Sequence, residues 1–267
     1  MTGQYHEGEI ALQERAGSRL RAEAIGQTVL DQMPPSAAEF LRQLPFLVLG
    51  ALDEQGEVWA THLVGEPGFA RPGGDRRILV DGGLLAGDPL AGTLRQAGRS
   101  VGMIGIEPRS RQRLRLNGRL EAADADRLAL STTQVYANCP KYIQARGFAP
   151  QPLRQPGKVR RSRVLDDCHR SWVESADTFF IATVHSDQGA DCSHRGGMPG
   201  FVRVRDERRL SFPDYSGNFM FQTLGNLEID PRAGLVFADY PSGTLVHLTG
   251  RARVDWTEQR RGELCSS

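Results

Sequence analysis

Two stretches of consecutive apolar residues mark the chain, Phe46-Leu-Val-Leu-Gly-Ala-Leu52 and Phe179-Phe-Ile-Ala-Thr-Val184. Each has the length of a strand and runs into a turn signal, Asp-Glu-Gln-Gly in the first and Ser-Asp-Gln-Gly in the second. Further along, polar and apolar residues alternate. Leu114, Leu116 and Gly118 fall on one face of a strand, with Arg111, Arg113 and Arg115 on the other. Val246, Leu248, Gly250 and Ala252 repeat the inward set. Helical patterns are fewer. Ser36 followed three residues later by Glu39 predicts a capping box opening a helix, and Asp166 to Ala176 reads as a second helix. Ala125 to Gln134 and Phe219 to Leu227 are also expected to be helical.

The chain repeats itself. Phe46 to Gly56 aligns with Phe179 to Gly189 at an offset of 133 positions. With one residue deleted, Thr61-His62 meets Ser193-His194 and Pro67-Gly68-Phe69 meets Pro199-Gly200-Phe201, both at 132. Arg76 to Val80 and Leu114 to Arg119 meet Arg208 to Phe212 and Val246 to Arg251 at the same offset. Short strands and Gly-rich turns in each copy predict a mainly β fold with flanking helices, one small barrel per copy. The expected organisation is a first copy with a helical tail at 1–149, a Pro- and Arg-rich linker at 150–165, and a second copy at 166–267.

Composition narrows the function. The 267 residues carry 33 Lys and Arg against 32 Asp and Glu, a net charge of +1, so nothing in the charge balance calls for a nucleic acid or an anionic membrane. No apolar run approaches the ~20 residues of a membrane span, so no membrane partner is expected. Cys139, Cys168, Cys192 and Cys265 show no paired spacing, which argues against a compact metal site and places the chain in a reducing, cytoplasmic setting.

Candidate chemistry concentrates in the second copy. Ser193, His194 and Arg195 sit on a strand before Gly196-Gly197, and the glycines let backbone approach a flat ligand. Asp214-Tyr215-Ser216-Gly217-Asn218 is a polar turn ahead of an expected helix, a combination that binds phosphate. Asp214 and Ser216 serve equally well as simple helix caps. The first copy has lost this equipment: Leu63 stands opposite Arg195, and Gly82 to Asp88 replaces the polar turn. The arginines at 109, 111, 113 and 115 read as a solvated outer strand face, since no aromatic residue interleaves with them. His62 and His194, at matching positions, predict a shared structural hydrogen bond. Cys139 and Cys192 read as packing thiols and Trp172 as core.

Ala182-Thr183-Val184, the Gly189 turn, Phe212 to Asn218 and Asp230-Pro231-Arg232 to Phe237 resemble the pyridoxamine 5′-phosphate oxidase-like proteins. Residues 177–254 carry the resemblance well; residues 44–120 carry it through the repeat. Asn138 to Gln144 and Ser193 to Arg203 resemble a tandem-barrel branch of that family, often fused to a ferredoxin-reductase-type module. The resemblance implies two tandem FMN-binding split β-barrels and an FMN-dependent oxidoreductase acting on a small-molecule substrate. Its electrons would come from NAD(P)H or a separate reductase. The implied FMN contacts are Ser193, His194, Arg195, Phe201, Val202, Arg203, Asp214, Tyr215, Ser216 and Asn218, with no metal and no assigned catalytic side chain. The family's turn usually carries Ser-x-Lys; here Ser216-Gly217-Asn218 has no lysine, leaving Arg195, Arg203 or Arg205 to supply the charge. Two barrels sharing a flavin implies either an intramolecular pseudo-dimer or a homodimer. A non-catalytic flavin or haem holder and a degenerate structural barrel remain the alternatives.

Overall fold

The computed structural model describes residues 5–82, 84, 87–123, 127–147 and 157–257. Three helices, α1 (Glu7–Arg15), α2 (Arg19–Gly26) and α3 (Pro35–Gln43), precede strands β1 (Phe46–Leu52), β2 (Val58–Val64), β3 (Ala70–Gly74) and β4 (Arg77–Asp81). A 3-10 turn then leads to β5 (Ser100–Glu107), β6 (Gln112–Ala123) and β7 (Arg127–Ala137). The second half opens with α4 (Asp167–Ser175), followed by β8 (Thr178–His185), β9 (Gly189–Gly196), β10 (Arg203–Asp206) and β11 (Arg209–Ser211). It ends with α5 (Gln222–Ile229), β12 (Arg232–Asp239) and β13 (Thr244–Arg251). The architecture is mainly β, with every strand pair antiparallel.

Strand order carries the repeat into three dimensions. The first half forms one sheet, β2-β1-β5-β6-β7-β4-β3. The second half reproduces its two ends, β9-β8-β12-β13 and the β10-β11 hairpin, without a counterpart of β7 among the described residues. No sheet closes on itself among the described residues. Register also corrects the sequence alignment. Val48 pairs with His62 where Phe180 pairs with His194, so β1 and β8 correspond at 132, like the rest of the copy. The apparent offset of 133 aligned the turn glycines, Gly56 and Gly189, and a one-residue slip exchanges the two faces of a strand.

That parity explains the uninterrupted apolar runs. Leu47, Leu49 and Ala51 face the core of the first half, while Phe46 and Val48 face a second core shared with Phe180, Ala182 and Val184. Phe179 and Ile181 point the other way, into the core of the second half. The shared core joins the halves about an approximate two-fold. β5 packs on β9 as β12 packs on β2, and β6 meets β9 as β13 meets β2. Glycines permit the approach. A Cβ on Gly102 would lie 2.5 Å from Asp191 Cα, and one on its counterpart Gly234 would lie 2.5 Å from Trp59 Cα.

Several local expectations change. Of the helix expected at Ala125 to Gln134, residues 125 and 126 lie outside the described residues and the rest is not helical, for β7 occupies residues 127–137, pairing with β6 on one side and β4 on the other. Leu128, Leu130 and Val135 are buried there, so tertiary pairing overrides the local pattern. Helix α3 begins at Pro35 with Pro34 as N-cap, and Ser36 makes no capping bond, because proline at the first helical position already lacks an N–H. Helix α4 does carry a capping box, between Asp166 and His169. Trp172 is only half-buried, and Val173 is the buried residue of α4. Part of the expected linker, residues 150–156, lies outside the described residues. No helix among the described residues is long and apolar enough to cross a membrane.

Candidate functional site

Polar side chains gather where β6 of the first half crosses β9 and the start of α5. On β6 the residues opposite Leu114 and Leu116 are Arg113, Arg115 and Asn117, and the face they occupy looks onto the second half. The expectation of a solvated arginine stripe therefore fails for Arg113 and Arg115, while Arg109 and Arg111 are exposed. Arg115, only 4 % exposed, pairs with the buried carboxylate of Asp191. Its Nη1 donates to Gln222 Oε1 at 3.1 Å, which also accepts from Tyr136 Oη at 2.8 Å. Asn117 Nδ2 donates to Asp191 at 3.4 Å. Burial lowers the guanidinium pKa of Arg115. A buried cation requires such compensation, and here the carboxylate supplies it, while the Arg115 Nε has no hydrogen-bond partner.

Ser193 and His194 are buried next to this network, and Arg195 is half-buried. Ser193 Oγ accepts from Thr223 Oγ1 at 2.7 Å. Arg195 Nη1 donates to the His194 carbonyl at 3.1 Å, and its Nη2 lies 3.6 Å from Asp214 Oδ1. Arg113 Nη1 lies 3.4 Å from His194 Nδ1, and Nη2 donates to Cys139 Sγ at 3.6 Å. The Nε groups of both Arg113 and Arg195 are buried with no hydrogen-bond partner. Burial first, then Arg113, Arg195 and Arg146, hold His194 well below the ordinary imidazole pKa, so it is neutral. Its counterpart His62 has no partner on either ring nitrogen. The expected shared hydrogen bond does not exist, because Arg113 is replaced by Leu245 in the mirrored position.

The polar turn is exposed, and the first half straps it down. Lys141 Nζ and Tyr142 Oη both donate to the Ser216 carbonyl, at 3.2 and 3.0 Å. Tyr215 stacks on Tyr142 with centroids 5.1 Å apart, and Asn218 Nδ2 donates to Asn138 Oδ1 at 2.7 Å. Neither Asp214 nor Ser216 caps α5, whose N-cap is Phe221 in a left-handed conformation with no side-chain bond. Asn218 Oδ1 instead accepts from Met220 N at 3.1 Å. Lys141, from the first half, thus brings a cation to a turn that has no lysine of its own. Phe201 and Val202 belong to the core of the second half, Phe201 stacking on Phe179 at 5.8 Å, and Arg203 lies on β10. Cys139 is half-buried beside Arg113. Cys192 is buried, which pushes its thiol up to about 12.

Sequence reasoning missed Arg113, Arg115, Tyr136, Lys141, Gln222 and Thr223. The readable signal was the strand parity of 113, 115 and 117, once the repeat is allowed to bring the second copy onto that face. A separate cluster, His6, Glu7 and His185, brings three metal-ligating groups within 4.8 Å. His6 Nδ1 already accepts from Gly8 N, and His185 Nδ1 accepts from Asp187 N and Gln188 N. His6 Nε2 lies 3.0 Å from Asn226 Oδ1, so both nitrogens of that ring are already engaged within the protein.

Residues 165–267 match the family model described as pyridoxamine 5′-phosphate oxidase. The similarity to this family is confined to the second half of the chain. Within the family domain lie Asp191, Ser193, Arg195 and the 214–218 turn, whereas Arg113, Arg115 and Lys141 come from outside it. Among solved structures, HupZ of Group A Streptococcus aligns at 8 % identity and a TM-score of 0.31, covering 39 % of this chain and 94 % of its own. A structure titled F420 reductase aligns at 13 % identity and a TM-score of 0.27, covering 39 % and 98 %. No curated protein matches the chain.

Proposed function

We propose that this protein is an FMN-binding oxidoreductase built as two tandem split barrels, with residues 1–149 and 166–267 as the two units and 150–165 as linker. The flavin site lies between them, and the second unit supplies most of it. The observation that carries this reading is the convergence of Arg113 and Arg195 on His194, one arginine from each half, each with a buried Nε lacking an acceptor. A buried guanidinium N–H without an acceptor is costly, and an anionic ligand such as a phosphate or a flavin carbonyl satisfies it. The donor set of Arg113, Arg195, Lys141 and Asn218 fits such a group, and the stacked Tyr142–Tyr215 pair offers a flat apolar wall.

Bound FMN would supply hydride or single-electron transfer, and the chain's own residues bind, orient and shield it. Neutral His194 keeps a donor available without adding charge. A nicotinamide nucleotide or a separate reductase would supply the electrons, and a small molecule would be the other substrate. Because both halves contribute, a single chain provides the two-barrel arrangement as a pseudo-dimer.

The test is an absorption titration of the purified chain with FMN, repeated for Arg195→Ala and Arg113→Ala, with mass in solution measured alongside. Saturable uptake that both variants weaken by roughly tenfold or more, the loss of a charge-assisted hydrogen bond, supports the shared site. A colourless chain that takes up no flavin overturns it. Weakening by Arg195→Ala alone moves the site wholly into the second half.

A further inference from the structure

Residues 219–221 connect the polar turn to α5, and their backbone is strained. Among the described residues, four other than glycine have φ in the left-handed region. Three of these, Tyr142, Phe219 and Phe221, border the candidate cleft, with φ of 65°, 65° and 61°. A large aromatic residue is unfavourable there and persists only where its surroundings over-determine it. Tyr142 is fixed at the cleft itself. Its hydroxyl bonds the Ser216 carbonyl, and its own carbonyl is so close to Gly196 that a Cβ there would lie 2.1 Å away.

Phe219 and Phe221 are held by the N-terminal pair of helices. Gln13 of α1 is fully buried, and its Nε2 donates to the carbonyl of Met220, between the two left-handed residues, at 2.9 Å. Gln13 Oε1 accepts from Arg19 Nη1 of α2 at 2.5 Å, so α2 orients the amide. The Met220 side chain is buried with Tyr5, Ala22 and Tyr136. The Arg21 guanidinium lies 4.3 Å over the Phe219 ring. The turn adds the bond from Met220 N to Asn218 Oδ1.

On its other side the same stretch sets the cleft. Asn218 reaches Asn138, and Gln222 and Thr223, the first residues of α5, bond Arg115, Tyr136 and Ser193. Returning Phe219 and Phe221 to ordinary backbone would turn φ through more than ~100° at each and displace both ends of the stretch.

We propose that Gln13 is a positioning residue of the candidate cleft. By holding the Met220 carbonyl it keeps Phe219 and Phe221 left-handed. That keeps Asn218 among the donors and Gln222 and Thr223 in the buried network. Docking of α1 and α2 and binding of the ligand are then coupled, and each strengthens the other. For its ligand the proposal rests on the reading of the cleft as an FMN site; for the hold on the turn it does not.

Gln13→Met keeps the length of the side chain and removes the donor. Arg21→Ala, on an exposed side chain, removes the contact with Phe219 and keeps the proposal testable if Gln13→Met fails to fold. Hydrogen exchange of the free full chain is read first. Both variants should speed exchange at residues 214–223 while β1 and β8 exchange as in the parent. FMN is then titrated by absorption. Gln13→Met should weaken uptake roughly tenfold, the effect of leaving a buried carbonyl unpaired. Arg21→Ala should weaken it about two- to fivefold, the range of an exposed cation–π contact. In the parent, FMN should slow exchange at residues 7–15 as well as at 214–223. Unchanged exchange at 214–223 in both variants overturns the proposal, as does exchange raised equally throughout the chain, which would show a role in global stability alone. Equal FMN uptake by parent and variants overturns the coupling. A parent that takes up no FMN overturns the coupling together with the reading of the cleft, whereas faster exchange confined to 214–223 still upholds Gln13 as the residue that holds the turn.

Discussion

Arg115 and Asp191 form a buried ion pair that joins the first half of the chain to the second. Both side chains are 5 % exposed. The mirrored position holds His247 and Trp59, and His247 Nδ1 meets the Ala60 carbonyl at 3.0 Å. The same crossing is therefore ionic on the side of the polar cluster and neutral on the other. On the proposed reading, that asymmetry puts the binding chemistry on the ionic side of the two-fold.

Removing one partner of such a pair leaves an uncompensated buried charge. Arg115→Met should cost about 3–5 kcal/mol in urea unfolding, and adding Asp191→Asn should recover part of that loss. Additive losses in the double variant would show that the two side chains do not act as a pair.

The glycine contacts give a second test of the interface. Ala at 102 or at 234 pushes a methyl into the backbone of the opposite half, at Asp191 or Trp59. Each substitution should cost about 1–3 kcal/mol or more, since overpacking at backbone has no side chain to displace. Comparable losses at the two positions, read from thermal unfolding, are the expected result of a two-fold arrangement. A neutral Gly102→Ala would require the halves to be separable at that crossing.

Much of this was legible in the sequence. The repeat announced two copies of one strand pattern, and Phe46 to Leu52 and Phe179 to Val184 fall on β1 and β8, interior strands of their sheets. The error at β7 came from reading residues 125–134 alone, where Leu128, Ala129 and Leu130 suit a helix. Pairing on two edges decided otherwise. The arginines of β6 were misassigned for a related reason. A strand face opposite the core is solvated only if nothing packs on it, and here the second copy does. The turn at 214–218 was recognised from its residues, but its straps, Lys141 and Tyr142, lie more than seventy positions away in sequence.

His62 is a buried imidazole among Phe46, Phe180 and Tyr240, with no partner for either nitrogen. Burial lowers its pKa from 6.5 to about 3. A base with a depressed folded pKa takes up its proton on unfolding, so stability is intact above 6.5 and falls as the pH drops toward 3. His62→Phe should leave stability at pH 7 unchanged or higher. By pH 5 the variant should gain about 2 kcal/mol relative to the parent. Urea midpoints at the two pH values decide the matter, and parallel shifts in parent and variant would show that His62 does not titrate on unfolding.

Glu9 tests the opposite sign. Helix α1 docks on α5 where Gly8 and Gly225 touch, and this carries the Glu9 carboxyl into the interior near Arg115. Its Oε2 accepts from His6 N at 2.9 Å, yet burial raises its pKa from 4.5 to about 7, with Arg115 and Arg19 opposing the shift. An acid with a raised folded pKa is best tolerated when protonated. Its contribution is fully present below 4.5 and is lost as the pH rises through 7. Glu9→Gln preserves the shape and the acceptor for His6 but removes the titration. From pH 5 to pH 8 the parent should lose about 2.5 kcal/mol relative to this variant in urea unfolding. Because α5 contributes Gln222 and Thr223 to the polar cluster, FMN uptake by the parent should weaken over the same interval while that of the variant stays level. Superimposable pH profiles would mean that Arg115 and Arg19 keep Glu9 ionised throughout, and α1 would then be held by charge rather than by a shared proton.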